Sequence, residues 1–269
     1  MMNTFIKVLK KSKHAVQTKD LSIGWGENNV LNKLNFELNE GEKLAIVGPS
    51  GSGKSTILKI LAGLLLPTKG ELKIFGEKQT YLRLDQDNPP DVRLVFQNPA
   101  LLGSLTIEEN VGFLLKRNKN LSKKLIHEIV CECLAEVGLF NIENKLPNEL
   151  SGGMQKRVSF ARALITDQTL NKNTKPILLF DEPTAGLDPI ASSRIEDLIN
   201  KTNNKANGSS IVVSHVLSTI ERSSDKVLML YGGKFRWAGS VDEFKESKDP
   251  YVFQFRHGKL DGPMQPKDI

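Results

Sequence analysis

The sequence predicts an α/β fold in which a mostly parallel sheet carries helices on both faces and a helical lobe is inserted into the sheet domain. Three observations support this. Short apolar strands at Leu44–Val47, Pro176–Phe180 and Ser210–Ser214 alternate with helical patterns. A glycine-rich segment directly follows the first of these strands. Between about residues 99 and 162 the pattern is predominantly helical, which indicates a lobe of different texture.

The remaining elements follow from the same periodicities. Alternating apolar and polar residues predict strands at Ala15–Ile23 and Leu34–Leu38, and a helix is predicted over Lys54–Leu64. Further helical patterns lie at Leu105–Val137, Gly152–Ile165 and Ile190–Lys201. Residues 168–175 are polar and predict a surface loop. The predicted organisation is a basic N-terminal segment (1–14), a main domain (15–240) that includes the helical lobe, and a C-terminal extension (241–269).

The composition excludes several classes of protein. The chain has 269 residues, of which 39% are hydrophobic and 25% charged, as in ordinary globular proteins. No apolar run approaches the roughly 20 residues of a membrane span, and no secretory signal is recognised. The net charge of +6 comes from scattered lysines, which argues against nucleic acid and agrees with a mild preference for anionic lipid headgroups. Cys131 and Cys133 are expected to be unreactive thiols.

The segment Gly48–Ser55 has the spacing G-x-x-x-x-G-K-[ST] and lies between a predicted strand and a predicted helix. Its glycines allow backbone N–H groups to converge on phosphate oxygens, and the following helix directs its positive end at the same charge. Lys54 is predicted to reach the β- and γ-phosphates of ATP, and the Ser55 hydroxyl to ligate Mg²⁺. The alternative is a glycine-rich turn without a ligand.

An acidic pair, Asp181–Glu182, ends the apolar strand Pro176–Phe180. In this position Asp181 is predicted to lie beside the metal, and Glu182 is the candidate base that polarises the attacking water. Acidic pairs are common on surfaces. The apolar strand before this pair and the segment Pro183–Asp188 after it are what make the functional interpretation specific.

A second candidate anion site is the segment Ser151–Gln155, in which Ser-Gly-Gly begins a predicted helix. A hydroxyl and free amides at a helix start favour an anion. Because the phosphate loop already has that arrangement, this segment is predicted to serve the γ-phosphate of a neighbouring copy of the chain. The alternative is simple capping of the helix by Ser151.

Together these motifs resemble those of ABC-type ATPase subunits, over about residues 15 to 240. The resemblance implies a P-loop NTPase (RecA-like) core with an inserted helical subdomain. It implies that the phosphate loop comprises Gly48, Pro49, Ser50, Gly51, Ser52, Gly53, Lys54, Ser55 and Thr56. It also implies that the family signature comprises Ser151, Gly152, Gly153, Met154 and Gln155. Two copies would then close over shared ATP.

The resemblance assigns roles to six further residues. Trp25 stands where an aromatic side chain stacks on adenine, and Gln97 where a glutamine touches the metal and water and communicates with a membrane partner. Asp181 and Glu182 correspond to the metal-side acid and the catalytic base. Asp188 lies in the loop that crosses the dimer, and His215 matches the switch histidine on the γ-phosphate.

One departure from the commonest signature narrows the resemblance. Met154 stands between the second glycine and Gln155, and this variant, with the run Asp181–Ala191, is similar to the ATPases of MCE-type lipid transporters (Mla-like and trigalactosyldiacylglycerol-type). The tail, with Gln254–Phe255, Gly258 and Asp261–Pro263, is similar to theirs as well. In those relatives the tail packs against the second ATPase subunit.

The narrower resemblance implies a homodimer at the cytoplasmic face of the plasma membrane, partnered by a membrane permease and an MCE-type lipid-binding protein and moving phospholipid. Two alternatives stay open. One is the ATPase of an ABC transporter for another cargo, and the other is a soluble assembly ATPase of the Suf type.

Overall fold

The computed structural model describes residues 14–26, 28–117, 121–165 and 175–265, without the side chains of Trp25, Asn28 and Arg117. The predicted basic segment 1–14 and the predicted loop 168–175 therefore lie outside the described residues, apart from His14 and Lys175. Within the described ranges, no helix combines the length and the apolar composition that crossing a membrane requires.

The larger sheet has six strands in the order β10-β9-β3-β8-β7-β6. Five of them pair in parallel, and β10 is antiparallel to β9 at one edge, so the predicted mostly parallel sheet is confirmed. The central strands are buried along their whole length because helices cover both faces. The strands are β3 (Lys43–Val47), β6 (Val92–Val95), β7 (Ile177–Asp181), β8 (Ser209–Val213), β9 (Lys226–Tyr231) and β10 (Lys234–Ser240).

A second sheet of four antiparallel strands, in the order β2-β1-β4-β5, was not predicted as a separate layer. The predicted strands near the N-terminus belong to it, and both are longer than expected. One hydrophobic core joins this sheet to the larger sheet, with the helix after the phosphate loop, α1 (Lys54–Leu61), inside that core. The strands are β1 (His14–Trp25), β2 (Asn28–Asn39), β4 (Lys69–Ile74) and β5 (Glu77–Lys78).

The helical lobe contains α2 (Ile107–Val111), α3 (Lys123–Glu136) and α4 (Gly152–Leu164), which share a second hydrophobic core with β7. The predicted helical stretch Leu105–Val137 is thus interrupted. The reason is local capping: Thr106 and Glu109 form a capping box at the start of α2, and Ser122 accepts a hydrogen bond from the backbone of Leu125 at the start of α3. Gly112 ends the short α2.

The second half of the chain adds α5 (Pro189–Ala206), α6 (Leu217–Ser223), α7 (Val241–Glu246) and α8 (Pro250–His257). After α8 the tail folds back on its own chain. The Gln254 side chain, almost fully buried, donates to the carbonyl oxygen of Met264 at 2.7 Å and accepts from its backbone N–H at 2.7 Å. Up to residue 265 the tail therefore packs in cis. The domain boundaries at residues 14, 99, 162 and 240 remain predictions.

Candidate active site

The phosphate loop connects β3 to α1, and its backbone requires glycine at two places. Gly48 has φ +151°, and a Cβ there would lie 2.1 Å from the carbonyl oxygen of Leu230 on β9. Gly53 has φ +102°, and its Cβ would lie 2.7 Å from Cδ2 of Leu31. Both glycines are therefore required by the chain's own packing. The loop ends at the N-terminus of α1, where free backbone N–H groups favour an anion.

Lys54 is the first residue of α1, and its side chain folds back over the loop. Nζ donates to the carbonyl oxygens of Gly48 at 2.8 Å and Pro49 at 3.0 Å. Burial lowers the pKa of Lys54, while the nearby carboxylates of Glu182 and Asp181 act in the opposite direction. The loop thus holds one buried cation that can pair with phosphate oxygens, beside two carboxylates that can face a divalent cation.

Ser55 and Asp181 meet across the gap between α1 and β7. The Ser55 hydroxyl donates to Oδ1 of Asp181 at 3.0 Å. Burial raises the pKa of Asp181, and this hydrogen bond opposes the rise. Parallel strands bring their carboxyl ends to one edge of the sheet, and for that reason residues 126 positions apart contact each other here.

Glu182 follows Asp181 in a left-handed backbone conformation, with φ +45°. Such a conformation costs a non-glycine residue on the order of 1–3 kcal/mol and is concentrated at functional sites. Oε2 of Glu182 lies 2.9 Å from Nδ1 of His215 and accepts from the His215 backbone N–H at 3.4 Å. The Glu182 side chain is 11% exposed and the His215 side chain 60% exposed, so the histidine stands between the buried acid and the surface.

The signature segment lies in the helical lobe, at the start of α4. Ser151 is the N-cap and its hydroxyl accepts from the Met154 backbone N–H at 3.3 Å, so the expected alternative of helix capping is present. The Gln155 side chain donates to the carbonyl oxygens of Pro147 and Leu150, inside its own lobe. Ser151 and Gly152 are exposed, and a Cβ at Gly152 or Gly153 would meet nothing within 4 Å.

The described structure divides the predicted site residues into two groups. Hydrogen bonds or ion pairs connect Lys54 with the phosphate loop, Ser55 with Asp181 and Glu182 with His215. Among the described residues no hydrogen bond joins Ser151–Gln155 to that group. One chain therefore assembles one half of the predicted site and displays the other half elsewhere on its surface.

Three other predicted residues, Gln97, Asp188 and Trp25, belong to neither group. Gln97 is exposed just after β6, and its side chain makes no hydrogen bond within the described ranges. Asp188 caps α5 by accepting from the backbone N–H groups of Ile190 and Ala191; the bond from Ala191 is the main reason that its pKa lies below the usual range. Trp25 ends β1, and its predicted contact with adenine lies outside the described side chains.

The residues present fit a triphosphate with a divalent cation. The Ser52 hydroxyl is buried in the loop with no partner among the described residues, and backbone N–H groups at the start of α1 lie beside it. The Ser55 hydroxyl and the Asp181 carboxylate, already in contact, are the hard oxygen donors that Mg²⁺ prefers.

Residues 31–185 match the model of the ABC transporter family. The chain belongs to this family. It is an ABC transporter ATPase, and this assignment agrees with a phosphate loop, an acidic strand end and an exposed Ser-Gly-Gly helix start on one α/β core. The predicted fold and ATP-hydrolysing activity are thereby confirmed.

Relatives of this ABC ATPase include two proteins named for lipids. The chain is 48% identical to Protein TRIGALACTOSYLDIACYLGLYCEROL 3, chloroplastic, from Arabidopsis thaliana, over 93% of this chain and 75% of that protein. It is 34% identical to the intermembrane phospholipid transport system ATP-binding protein MlaF of Haemophilus influenzae, over 94% of each. The predicted resemblance is therefore confirmed.

A solved structure supports both the assigned fold and the binding of a nucleotide. The dimeric, post-hydrolysis ATP-binding cassette MJ0796 bound to ADP and Pi superposes with a TM-score of 0.70 at 32% identity, over 84% of this chain and 98% of that one. This ABC ATPase accordingly binds ATP.

Sequence reasoning missed two basic side chains that connect α4 to loops next to the site. Lys156 donates to the carbonyl oxygens of Ala185 at 2.6 Å and Pro183 at 3.4 Å, which ties the signature helix to the loop after Glu182. Arg162 donates to the carbonyl oxygens of Pro99 and Ala100, both at 3.0 Å. Their acceptors are backbone atoms, which carry no residue-type signal.

Proposed function

We propose that two copies of this ABC ATPase close over two ATP molecules, each gripped by the phosphate loop of one copy and the signature segment of the other. In this proposal Lys54 contacts the β- and γ-phosphates, Glu182 is the general base for water, and His215 holds the γ-phosphate. The dimer closes with ATP and reopens after hydrolysis. The related cassette MJ0796, which is dimeric when bound to ADP and Pi, supports this arrangement.

The observation that carries the proposal is the position of Glu182. The carboxylate is almost buried, lies next to the Ser55–Asp181 pair in sequence and space, and contacts His215 at 2.9 Å. A general base must be held within hydrogen-bond reach of its water and have access to the nucleotide.

Mg²⁺ would be held by Ser55, Asp181 and Gln97, and when bound it would supply neutralising charge at the phosphate oxygens. Trp25 is proposed to stack on adenine, and Asp188 to lie in the loop that crosses the dimer. The side chains of Met154 and Gln155 point into their own lobe, so the signature segment is proposed to act mainly through Ser151 and the backbone N–H groups of the two glycines.

A permease helix is proposed to dock at residues 97–105. The buried Asn110 fixes this loop, since its amide donates to the carbonyl oxygens of Leu102 and Leu105, and its Oδ1 accepts from the Leu102 backbone N–H at 2.7 Å. The Leu102 side chain nevertheless stays about half exposed, as does Phe113 at the end of α2. A rigid loop with exposed apolar side chains suits a partner helix.

Phospholipid is the proposed cargo, moved by a permease and an MCE-type lipid-binding protein with this subunit at the cytoplasmic face of the membrane. The 48% identity to the chloroplast protein and the match to MlaF over nearly the whole chain support it. A different cargo is supported by another relative, the Fe(3+) ions import ATP-binding protein FbpC of Escherichia coli O157:H7, at 35% identity. Extraction in mild detergent, followed by mass spectrometry and lipid analysis, decides between them: a lipid-free complex with an ion permease contradicts the lipid proposal.

The base assignment is tested by Glu182→Gln. We expect turnover to fall by on the order of 100-fold or more, because the amide cannot accept a proton from water, while ATP-bound dimer accumulates. Steady-state hydrolysis and light scattering measure the two effects. Glu246→Gln, at an exposed acid at the end of α7, is the matched control. Hydrolysis at the wild-type rate by Glu182→Gln contradicts the assignment.

A further inference from the structure

Glu196, in the middle of α5, is a fully buried acid that the ATP site does not contain. Its carboxylate accepts three side-chain hydrogen bonds from α6. Oε1 accepts from the hydroxyls of Ser218 at 2.8 Å and Thr219 at 2.9 Å, and Oε2 accepts from Nη1 of Arg222 at 2.8 Å. A buried carboxylate needs such donors. Glu196 thus fixes the three side chains on one face of α6 by hydrogen bonds.

The hydrogen bonds continue from Thr219 to the loop after Glu182. The hydroxyls of Thr184 and Thr219 lie 2.9 Å apart, and both residues are buried. A hydroxyl has one proton to donate and a carboxylate only accepts, so the Thr219 proton is directed to Glu196. Thr184 must therefore donate to Thr219. The chain of donors runs in one direction, from Thr184 to the Glu196 charge.

This chain of hydrogen bonds joins the loop that follows the proposed base to α6, the helix that follows His215. Thr184 is two residues after Glu182, and Thr219 is four residues after His215. The segment Glu182–Thr184 thus contacts the segment His215–Thr219 at two places: through Glu182 and His215, 2.9 Å apart, and in the interior through the two threonines. The start of α6 has no side-chain cap, so its placement depends on contacts of this kind.

We propose that Glu196 is a positioning residue for ATP hydrolysis, which acts through Thr219 and Thr184 to fix the distance between Glu182 and His215. Arg222 supports it, because the guanidinium bridges Glu196 and the exposed Asp197 at 2.8 Å each. The inference rests on the base role proposed for Glu182. Small displacements of a catalytic group are costly: a shift of about 1 Å reduces rate on the order of 100-fold.

Thr184→Val tests the link, since it removes one hydroxyl and keeps the shape. We expect kcat to fall about tenfold while KM for ATP stays within about twofold, because the group acts on the chemical step and not on nucleotide binding. Thr184→Ser keeps the hydroxyl and should restore kcat. Thr202→Val is the matched control: Thr202 lies on the same helix as Glu196, is buried, and its hydroxyl has no partner among the described residues.

Glu196→Gln should lower kcat in the same way. If Glu196 and Thr184 act through one hydrogen-bond chain, the double variant Glu196→Gln/Thr184→Val should lose no more kcat than the more impaired single variant. If the two residues acted independently, their fold-losses in kcat would multiply. If Glu196→Gln fails to fold, Thr184→Val carries the test alone. Wild-type kcat in Thr184→Val, equal losses in Thr202→Val, or a loss explained by a lower melting temperature overturns the inference.

The base assignment is separable from this result. If Glu182→Gln is inactive and Thr184→Val is fully active, only the positioning role fails. If Glu182→Gln hydrolyses ATP normally, the base role fails. In the Glu182→Gln background, Thr184→Val should leave ATP-driven dimerisation unchanged.

Discussion

The two glycine-rich segments of this chain differ in what makes their glycines necessary. In the phosphate loop, Gly48 and Gly53 have left-handed or extended positive φ values, and added Cβ atoms would lie 2.1 Å and 2.7 Å from neighbouring atoms. In the signature segment, Gly152 and Gly153 are helical, and added Cβ atoms would meet nothing within 4 Å. The first segment is constrained by the fold of its own chain, and the second is not.

From that difference we infer where each half-site is completed. In the phosphate-loop half-site, Lys54 is hydrogen-bonded to the loop backbone and Ser55 to Asp181 within one subunit. The signature segment presents an exposed helix start whose glycines have no reason inside the chain, where alanine would be the better helix former. We propose that these glycines serve a nucleotide or a second copy that approaches closely.

The largest expected effect is a loss of ATP affinity at the phosphate loop. Lys54→Ala removes the buried cation of the phosphate loop, so ATP affinity should fall about 100-fold or more. Calorimetry measures it. Lys59→Ala, at an exposed lysine on the same helix, is the control. Undiminished ATP affinity in Lys54→Ala would show that the phosphate loop does not bind ATP as proposed.

A substitution in the signature segment is expected to lower activity without lowering stability. Gly152→Ala should leave the free energy of unfolding unchanged or raise it by up to about 1 kcal/mol, yet turnover should fall on the order of tenfold or more, because the Cβ obstructs an approaching phosphate. Gly48→Ala, by contrast, should lower stability directly. Thermal unfolding and hydrolysis assays together separate the two. Normal turnover in Gly152→Ala would contradict the idea that Gly152 is needed for the approach of a phosphate.

Mixing two impaired variants tests whether the halves belong to different subunits. A dimer of one Lys54→Ala copy and one Gly152→Ala copy contains one intact composite site, so the mixture should regain a measurable part of the wild-type rate. The hydrolysis rate of the mixture against each variant alone is the measurement. A mixture no more active than its components, with mixed dimers shown by mass spectrometry, means that each subunit works alone.

The smallest effect concerns the lobe that carries the signature. His127 on α3 lies 2.7 Å from Glu108 on α2, and this hydrogen bond raises the pKa of His127. The stabilisation is present below the ordinary histidine pKa and is lost as pH rises through the raised value. The melting-temperature difference between wild type and His127→Gln should therefore be largest in mild acid and vanish at higher pH. A constant difference across that range would show that protonation plays no part.

Much of the nucleotide half-site was predictable, since its residues sit at strand ends in fixed local order. The interruption of Leu105–Val137 was not predicted, although Thr106 and Ser122 provide recognisable caps. The antiparallel sheet was not predicted as a layer because strand pairing depends on partners distant in sequence. The roles of Lys156 and Glu196 were not predicted, because their partners lie on other elements. These are backbone carbonyls for Lys156, and two hydroxyls and the Arg222 guanidinium for Glu196.

The sequence by itself determined the family, the ATP chemistry and the location of the phosphate loop, because short-range spacing fixes a strand, a glycine turn and a helix start. Only the tertiary structure decided which of those groups meet. Bringing Ser55 to Asp181, or Thr184 to Thr219, requires the parallel sheet and its covering helices to be packed. That packing is a property of the whole core and not of any one segment.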